Sequence, residues 1–279
     1  MGFQIIGDSS LDLNNKLKSC LNAKLAPFQI TVGGKLYIDD DNIDCDDLLY
    51  NISSSSEVAK TSAPTPYEFL NLVDPNTDGV FIITISSKMS ASYNSALIAQ
   101  QLLKEKYPEL NVHVIDSRTA SSGETHLAVE IKRKEKEGCS FEQTVEYIDN
   151  FRNSYELLFL LDKLDTLIKN GRMSFLTGLF AQFLHIKPLL RATKEGEIGL
   201  YDKTRTYSKA LDKLAEYIVN TKNEMTERIL LISQCKAESR AQLLKEKIES
   251  SQIFKEIIIV PMRGLSSTYA NEGGIICSF

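Results

Sequence analysis

Apolar runs rich in β-branched residues recur along the chain, and each gives way to a stretch with helical periodicity. Phe3 to Gly7, Val80-Phe81-Ile82-Ile83-Thr84-Ile85 and Val112-His113-Val114-Ile115 are the clearest. Runs of this kind suit central strands covered by helices on both faces. The helices between them carry start signals. Thr65-Pro66-Tyr67-Glu68 combines a capping threonine, a proline at the first helical position and a glutamate three residues after the cap. Ser140-Phe141-Glu142-Gln143 repeats the box. Phe28 to Val32, Gly33-Gly34 and Lys35 to Ile38 read as a β-hairpin closed by a two-residue turn.

After about residue 157 the pattern continues with different spacing. Leu157 to Leu160 and Ile186 to Leu190 are strand-like, Ser174 to Leu184 predicts a short helix, and Glu197 to Tyr201 a brief edge strand. Tyr207, Ala210, Leu211, Leu214 and Ile218 mark a helix by their steps of three and four. Ile229 to Ser233, a helix over Ala237 to Glu249, Ile257 to Val260 and Ile275 to Phe279 complete the series. Alternating strands and helices predict an α/β protein with a mostly parallel sheet in each half. The expected domains are 1–157 and 158–279.

Composition agrees with this picture. With 43% hydrophobic and 25% charged residues over 279 positions, the chain can bury a full core. The longest apolar run, Ile257 to Val260, is far short of a membrane span. The N-terminal segment lacks the basic flank and long apolar stretch of a signal peptide, so a cytoplasmic location is expected. Five dispersed cysteines without a C-x-x-C pair point to reduced thiols. Three dispersed histidines, His113, His126 and His185, give no zinc signature. The balance of 32 basic against 37 acidic residues is mildly acidic. Lys132-Arg133-Lys134 lies within an alternating run from Glu130 to Glu137, a solvated helix face, and no nucleic-acid partner is expected.

Phosphate loops, dinucleotide fingerprints, nucleophile elbows and metalloprotease motifs are missing from the sequence. Asp8-Ser9-Ser10 ends a strand, but Ser10 stands where a phosphoaspartyl enzyme usually carries its second acid, so Asp8 reads as a loop-capping carboxylate. No catalytic residue, metal or cofactor is assigned. What stands out are two hydroxyl-rich segments, Lys60-Thr61-Ser62-Ala63-Pro64-Thr65-Pro66 and Ile85-Ser86-Ser87-Lys88-Met89-Ser90-Ala91-Ser92-Tyr93-Asn94. Ligands of open α/β sheets bind beyond the carboxyl ends of strands, where helix N-termini favour anions. Ser90 and Ser92 either cap the following helix or meet a ligand, and the two roles are compatible. His113, His126 and His185 read as core histidines and Cys277 as a buried thiol. The stripe Phe175, Leu176, Leu179, Phe180 and Phe183 reads as core by default, and flexible Met89 is able to fill ordinary core gaps.

Four stretches together resemble the DegV family, which includes the fatty-acid-binding subunit of bacterial fatty acid kinase. They are Ile6-Gly7-Asp8-Ser9-Ser10, Thr61-Ser62-Ala63-Pro64-Thr65-Pro66, Ile85-Ser86-Ser87-Lys88-Met89-Ser90-Ala91-Ser92-Tyr93-Asn94-Ser95-Ala96 and Val114-Ile115-Asp116-Ser117. Asn170-Gly171-Arg172-Met173-Ser174, Lys187-Pro188 and Lys203-Thr204-Arg205-Thr206 follow in family order. The resemblance implies a two-domain DegV-like fold with the ligand between the domains. It implies a long-chain fatty acid with its tail in an apolar tunnel, presented without covalent chemistry to a separate kinase subunit after transient contact with a membrane. By motif position Thr61 and Ser90 are the hydroxyl donors, Ser62 is adjacent, Arg205 meets the head group or an acyl phosphate, and Arg172 holds loops. The chain departs from the family pattern twice. Ala91 replaces a glycine, and Thr268-Tyr269-Ala270-Asn271-Glu272-Gly273-Gly274 lacks a family histidine, leaving Tyr269 or Asn271 as replacement donors. The competing reading is a small-molecule phosphatase or esterase using Asp8, Arg172 and Arg205.

Overall fold

The computed structural model describes residues 2–173, 186–221 and 227–279; the predicted helix over Ser174 to Leu184, its phenylalanine stripe and His185 lie outside them. From the N-terminus run β1 (Phe3–Asp8), α1 (Asn15–Leu21), β2 (Lys24–Ala26), β3 (Gln29–Val32), β4 (Lys35–Ile38), α2 (Cys45–Ser54) and β5 (Lys60–Ser62). Then come α3 (Pro66–Leu72), β6 (Gly79–Thr84), α4 (Ser92–Lys106), β7 (Val112–Asp116), α5 (Ser122–Lys136) and α6 (Phe141–Phe151). The first sheet has the order β2-β1-β6-β7 and is parallel throughout. Its continuous apolar runs split by alternation. Ile5, Phe81, Ile83 and Ile115 pack with Leu127 and Ile131 of α5, whereas Ile6, Val80, Ile82 and Val114 pack with Phe69, Ala96, Ala99 and Leu103 of α3 and α4. Both capping boxes form, at Thr65 and Ser140.

A small sheet of order β4-β3-β5 stands beside it, antiparallel throughout. Gly33 and Gly34 take φ of 57° and 75°, the left-handed pair that a two-residue hairpin turn demands. Ile30 and Val32 face inward from β3 and Gln29 and Thr31 outward; Ile30 stands opposite Thr61, and Gln29 opposite Ser62.

The chain continues through β8 (Leu157–Leu160), α7 (Asp165–Lys169), β9 (Lys187–Ala192), β10 (Ile198–Thr204), α8 (Tyr207–Asn220) and β11 (Ile229–Gln234). It ends in α9 (Glu238–Glu249), β12 (Glu256–Pro261), α10 (Gly264–Ala270) and β13 (Ile275–Ser278). These strands form one sheet of order β10-β9-β8-β13-β11-β12. The mostly parallel arrangement expected of both halves holds for the first sheet only. Here β11 and β12, joined across α9, are the parallel pair; the other neighbours are antiparallel. The cause is connectivity. A short β9–β10 link can join only antiparallel neighbours, and β13 returns from α10 to insert between β8 and β11.

Helix α5 is shared, packing on β1 and β6 with one side and on β11 and β13 with the other. Leu127, Ala128 and Ile131 therefore sit in one core with Ile229, Leu231 and Val260. The charged side of the same helix, expected to be solvated, is half-buried around Lys132 to Glu135 and buried at Glu130, and it is laced with pairs, among them Lys132–Glu135 at 2.8 Å and Arg133–Glu130 at 2.6 Å. Among the described residues, no helix is long and apolar enough to cross a membrane.

Candidate functional site

Between the first-half loops and the second sheet lies a cavity with about 1020 Å³ of unfilled space, open mouth included, of which the centre of a water molecule can reach about 190 Å³. Its described walls are largely apolar. Phe28, Ile85 and Met89 face it from the first half, and Leu157, Phe159, Leu161, Leu167, Leu265 and Ile276 from the second. The second-sheet residues 157, 159 and 161 alternate along β8 and its end, so one strand face forms a wall while Leu158 and Leu160 join the core behind.

One polar group gathers around Thr61. Because side chains alternate along β5, Thr61 turns inward to the cavity and Ser62 outward to solvent. The Thr61 hydroxyl is 2.8 Å from the Tyr269 hydroxyl, which reaches it from α10. Ser90 also lines the cavity. Its oxygen accepts the Ser92 N–H at 3.2 Å, which leaves its own proton for a ligand. Ala91 stands on the wall immediately before the 15-residue helix α4, so the positive end of that helix faces the cavity. Ala91 has φ −77° and ψ −2°, ordinary helical backbone that needs no glycine. Arg172 is the one cation on the described lining. It is also tied to loops, its guanidinium donating to the carbonyls of Met89 and Asn170.

A second polar group lies deeper. Ser10 and Ser121 reach the cavity wall, and the buried carboxyls of Asp8, Asp12 and Glu124 stand nearby. Asp8 accepts the N–H groups of Ser10 (3.1 Å) and Ile85 (3.0 Å) and the Ser92 hydroxyl (2.5 Å). It therefore joins β1, β6 and α4, and Ser92 serves this carboxylate rather than capping its helix. Burial still outweighs these donors and pushes the Asp8 carboxyl up to about 6. Asp12, held by the Ser121 hydroxyl and by the Arg263 N–H at 2.7 Å, is pushed by burial up to about 7. Glu124 has no well-formed partner on either oxygen; burial first, and the neighbouring Asp8 next, hold it well above the usual carboxylate range.

The structure thus brings Thr61 and Ser90 to one cavity and leaves two expected residues off its described lining. Ser62 is on the outer strand face, and Arg205, after β10, is exposed. Of the two candidate replacements for the missing histidine, Tyr269 is on the cavity and Asn271 is off it, in a surface groove. The arrangement needed for the phosphatase reading does not form: Asp8 is fully buried and saturated, and Arg172 and Arg205 occupy separate settings. His126 is a core residue, 3.2 Å from the Ser278 hydroxyl and beside Phe151 and Tyr155, and burial pushes it down to about 4. Met89 lines the cavity and Cys277 is fully buried. Among the described residues no cluster of three or more His, Cys, Asp or Glu could hold a metal ion. Sequence reading missed Asp12, Ser121 and Ser266; each is unremarkable in its local sequence, and only the long-range packing of three segments unites them.

Comparisons with known proteins agree with this architecture. The model of a family described as "Uncharacterised protein, DegV family" matches residues 2–278. A DegV domain-containing protein of Streptococcus pneumoniae is 32% identical over 282 residues, covering 100% of this chain and 99% of the relative. Among solved structures, a DegV-family protein from Ruminococcus gnavus, refined with vaccenic acid, superposes with TM-score 0.93 at 34% identity over 99% of each chain. The Streptococcus pneumoniae fatty acid kinase (Fak) B3 protein, loaded with linoleic acid, gives TM-score 0.89 at 29% identity, covering 100% of this chain and 99% of that one. A DegV-family protein from Eubacterium eligens loaded with heptadecanoic acid gives 0.89 at 26%, covering 99% and 98%. Family model, relatives and superposed structures span the whole fold described above, and the chain belongs to the DegV family.

Proposed function

We propose that the protein binds one long-chain fatty acid and presents its carboxylate to a separate kinase subunit, performing no covalent step itself. The carboxylate meets Thr61, Ser90 and Tyr269 near the Arg172 charge, and the tail fills the apolar cavity. The observation that carries this reading is the Thr61–Tyr269 hydroxyl pair at 2.8 Å on a wall that is otherwise mostly hydrocarbon. The bound acids of the three superposed relatives support it. Residues 1–157 and 158–279 act as two domains that both line the cavity. Tyr269 takes the place of the family histidine, and the exposed Arg205 is assigned to the phosphate of the acyl phosphate rather than to the buried head group.

Energetically, the tail dominates affinity and the head sets orientation. Each buried methylene contributes about 0.8 kcal/mol, so a long chain binds with few polar contacts. Loading from a membrane and work in the cytoplasm follow from the same reading, because so apolar a ligand has little free concentration in water. Native mass spectrometry of the purified protein should show a fatty acid adduct, and added palmitate should bind. Thr61→Ala and Tyr269→Phe should each weaken binding about ten- to a hundredfold, the scale of a hydrogen bond to a charged group. No adduct and no palmitate uptake would overturn the proposal.

A further inference from the structure

The cavity has a second polar wall that the carboxylate site leaves unused. Ser10, Ser121 and Ser266 come from three distant segments, are all buried, and line the same cavity. The Ser121 and Ser266 protons are already committed inward. The Ser121 hydroxyl donates to the Asp12 carboxylate, and its N–H donates to the Ser10 oxygen at 3.2 Å. The Ser266 hydroxyl donates to the Ser10 carbonyl at 3.4 Å. What these two hydroxyls offer the cavity is oxygen lone pairs, with the fully buried Asp12 behind them. Such a wall repels a carboxylate, offers a methylene nothing, and complements a group that donates a proton.

Its position fixes where that group sits. Ser266 precedes Tyr269 by three residues on α10, about 4.5 Å along the helix axis. A chain anchored at Thr61 and Tyr269 and running along this face of α10 would meet the serine wall within a few carbons of its carboxylate. We propose that Ser121 and Ser266 form a subsite for a hydroxyl near the carboxyl end of the acyl chain, which makes 3-hydroxy long-chain fatty acids a favoured ligand class. The proposal rests on the fatty-acid reading above and narrows it. The donor requirement separates a hydroxyl from an ether or a ketone at the same carbon, because only the hydroxyl has a proton to give.

The test is competition binding at pH 8, where Asp12 is charged, with palmitate, 3-hydroxypalmitate and 3-methoxypalmitate. The 3-hydroxy acid should bind about two- to tenfold more tightly than palmitate, the range of one neutral hydrogen bond. The methoxy acid should show no gain, and Ser266→Ala should abolish most of the preference. The wild-type comparison needs no variant, so it stands even where a serine substitution unsettles the fold. Palmitate binding with no advantage for the 3-hydroxyl, or an equal advantage for 3-methoxy, would overturn the subsite alone. Failure of both palmitate and 3-hydroxypalmitate to bind would sink the fatty-acid reading and the subsite with it.

Discussion

Asp12 shows how one residue can be well bonded and still uncomfortable. Its two partners, the Ser121 hydroxyl and the Arg263 N–H, do not offset the loss of water, so the folded carboxyl titrates near 7 against an ordinary 3.8. Between those values the folded chain keeps a proton that the unfolded chain has lost. The stability from this group is therefore full below about pH 4 and is lost as pH rises through about 7. Asp8, raised to about 6, adds to the same fall, while His126, lowered to about 4 from 6.5, works the other way below pH 6.5. Asp12→Asn keeps both contacts, with its amide oxygen accepting from Arg263 and its amide nitrogen donating to Ser121. Its melting temperature should exceed that of the native protein at pH 8, and it should lose less stability between pH 5 and 8. A variant less stable than the native protein at pH 8 would contradict this account. Nothing around Leu11-Asp12-Leu13 announces the role, since a carboxylate between two leucines reads equally well as a surface residue. Asp8 was legible as a loop-capping carboxylate because its position at the end of a strand limits what it can do.

At the scale of elements, the period of two along β5 decides which hydroxyl matters. Thr61 stands opposite Ile30 and points inward; Ser62 stands opposite Gln29 and points to water. Thr61→Ala should therefore lower fatty acid affinity, whereas Ser62→Ala should leave it within about twofold, read by isothermal titration. A larger loss at Ser62 than at Thr61 would mean that the register is wrong by one residue. The Thr-Ser motif itself could not rank the two, because β5 is only three residues long and joins the sheet through a long-range pairing. Local chemistry was legible where it is self-contained. The Gly33-Gly34 turn and the boxes at Thr65 and Ser140 form as their residue types dictate. Ser92 was not, since its hydroxyl leaves the helix to reach Asp8 across the sheet.

For the whole molecule, hydrophobic period gave strands and helices but not strand direction. In the first sheet β1, β6 and β7 are each followed by a helix, and the parallel order follows. The second half alternates strands and helices in the same way along β11, α9 and β12, yet its remaining neighbours are antiparallel. That difference has a functional consequence. Inserting β13 between β8 and β11 sets Ile276 beside Phe159, and these two residues form part of the apolar wall that faces Thr61 and Ser90. The cavity is thus a product of long-range topology, whereas the residues that polarise one end of it sit in two short motifs. The most direct test is a crystal structure of the protein with palmitate. The carboxylate should lie within hydrogen-bonding distance of the Thr61 and Tyr269 hydroxyls, with the tail running past Phe159 and Ile276. Density for the acid elsewhere, or a cavity that stays empty at saturating palmitate, would contradict the account.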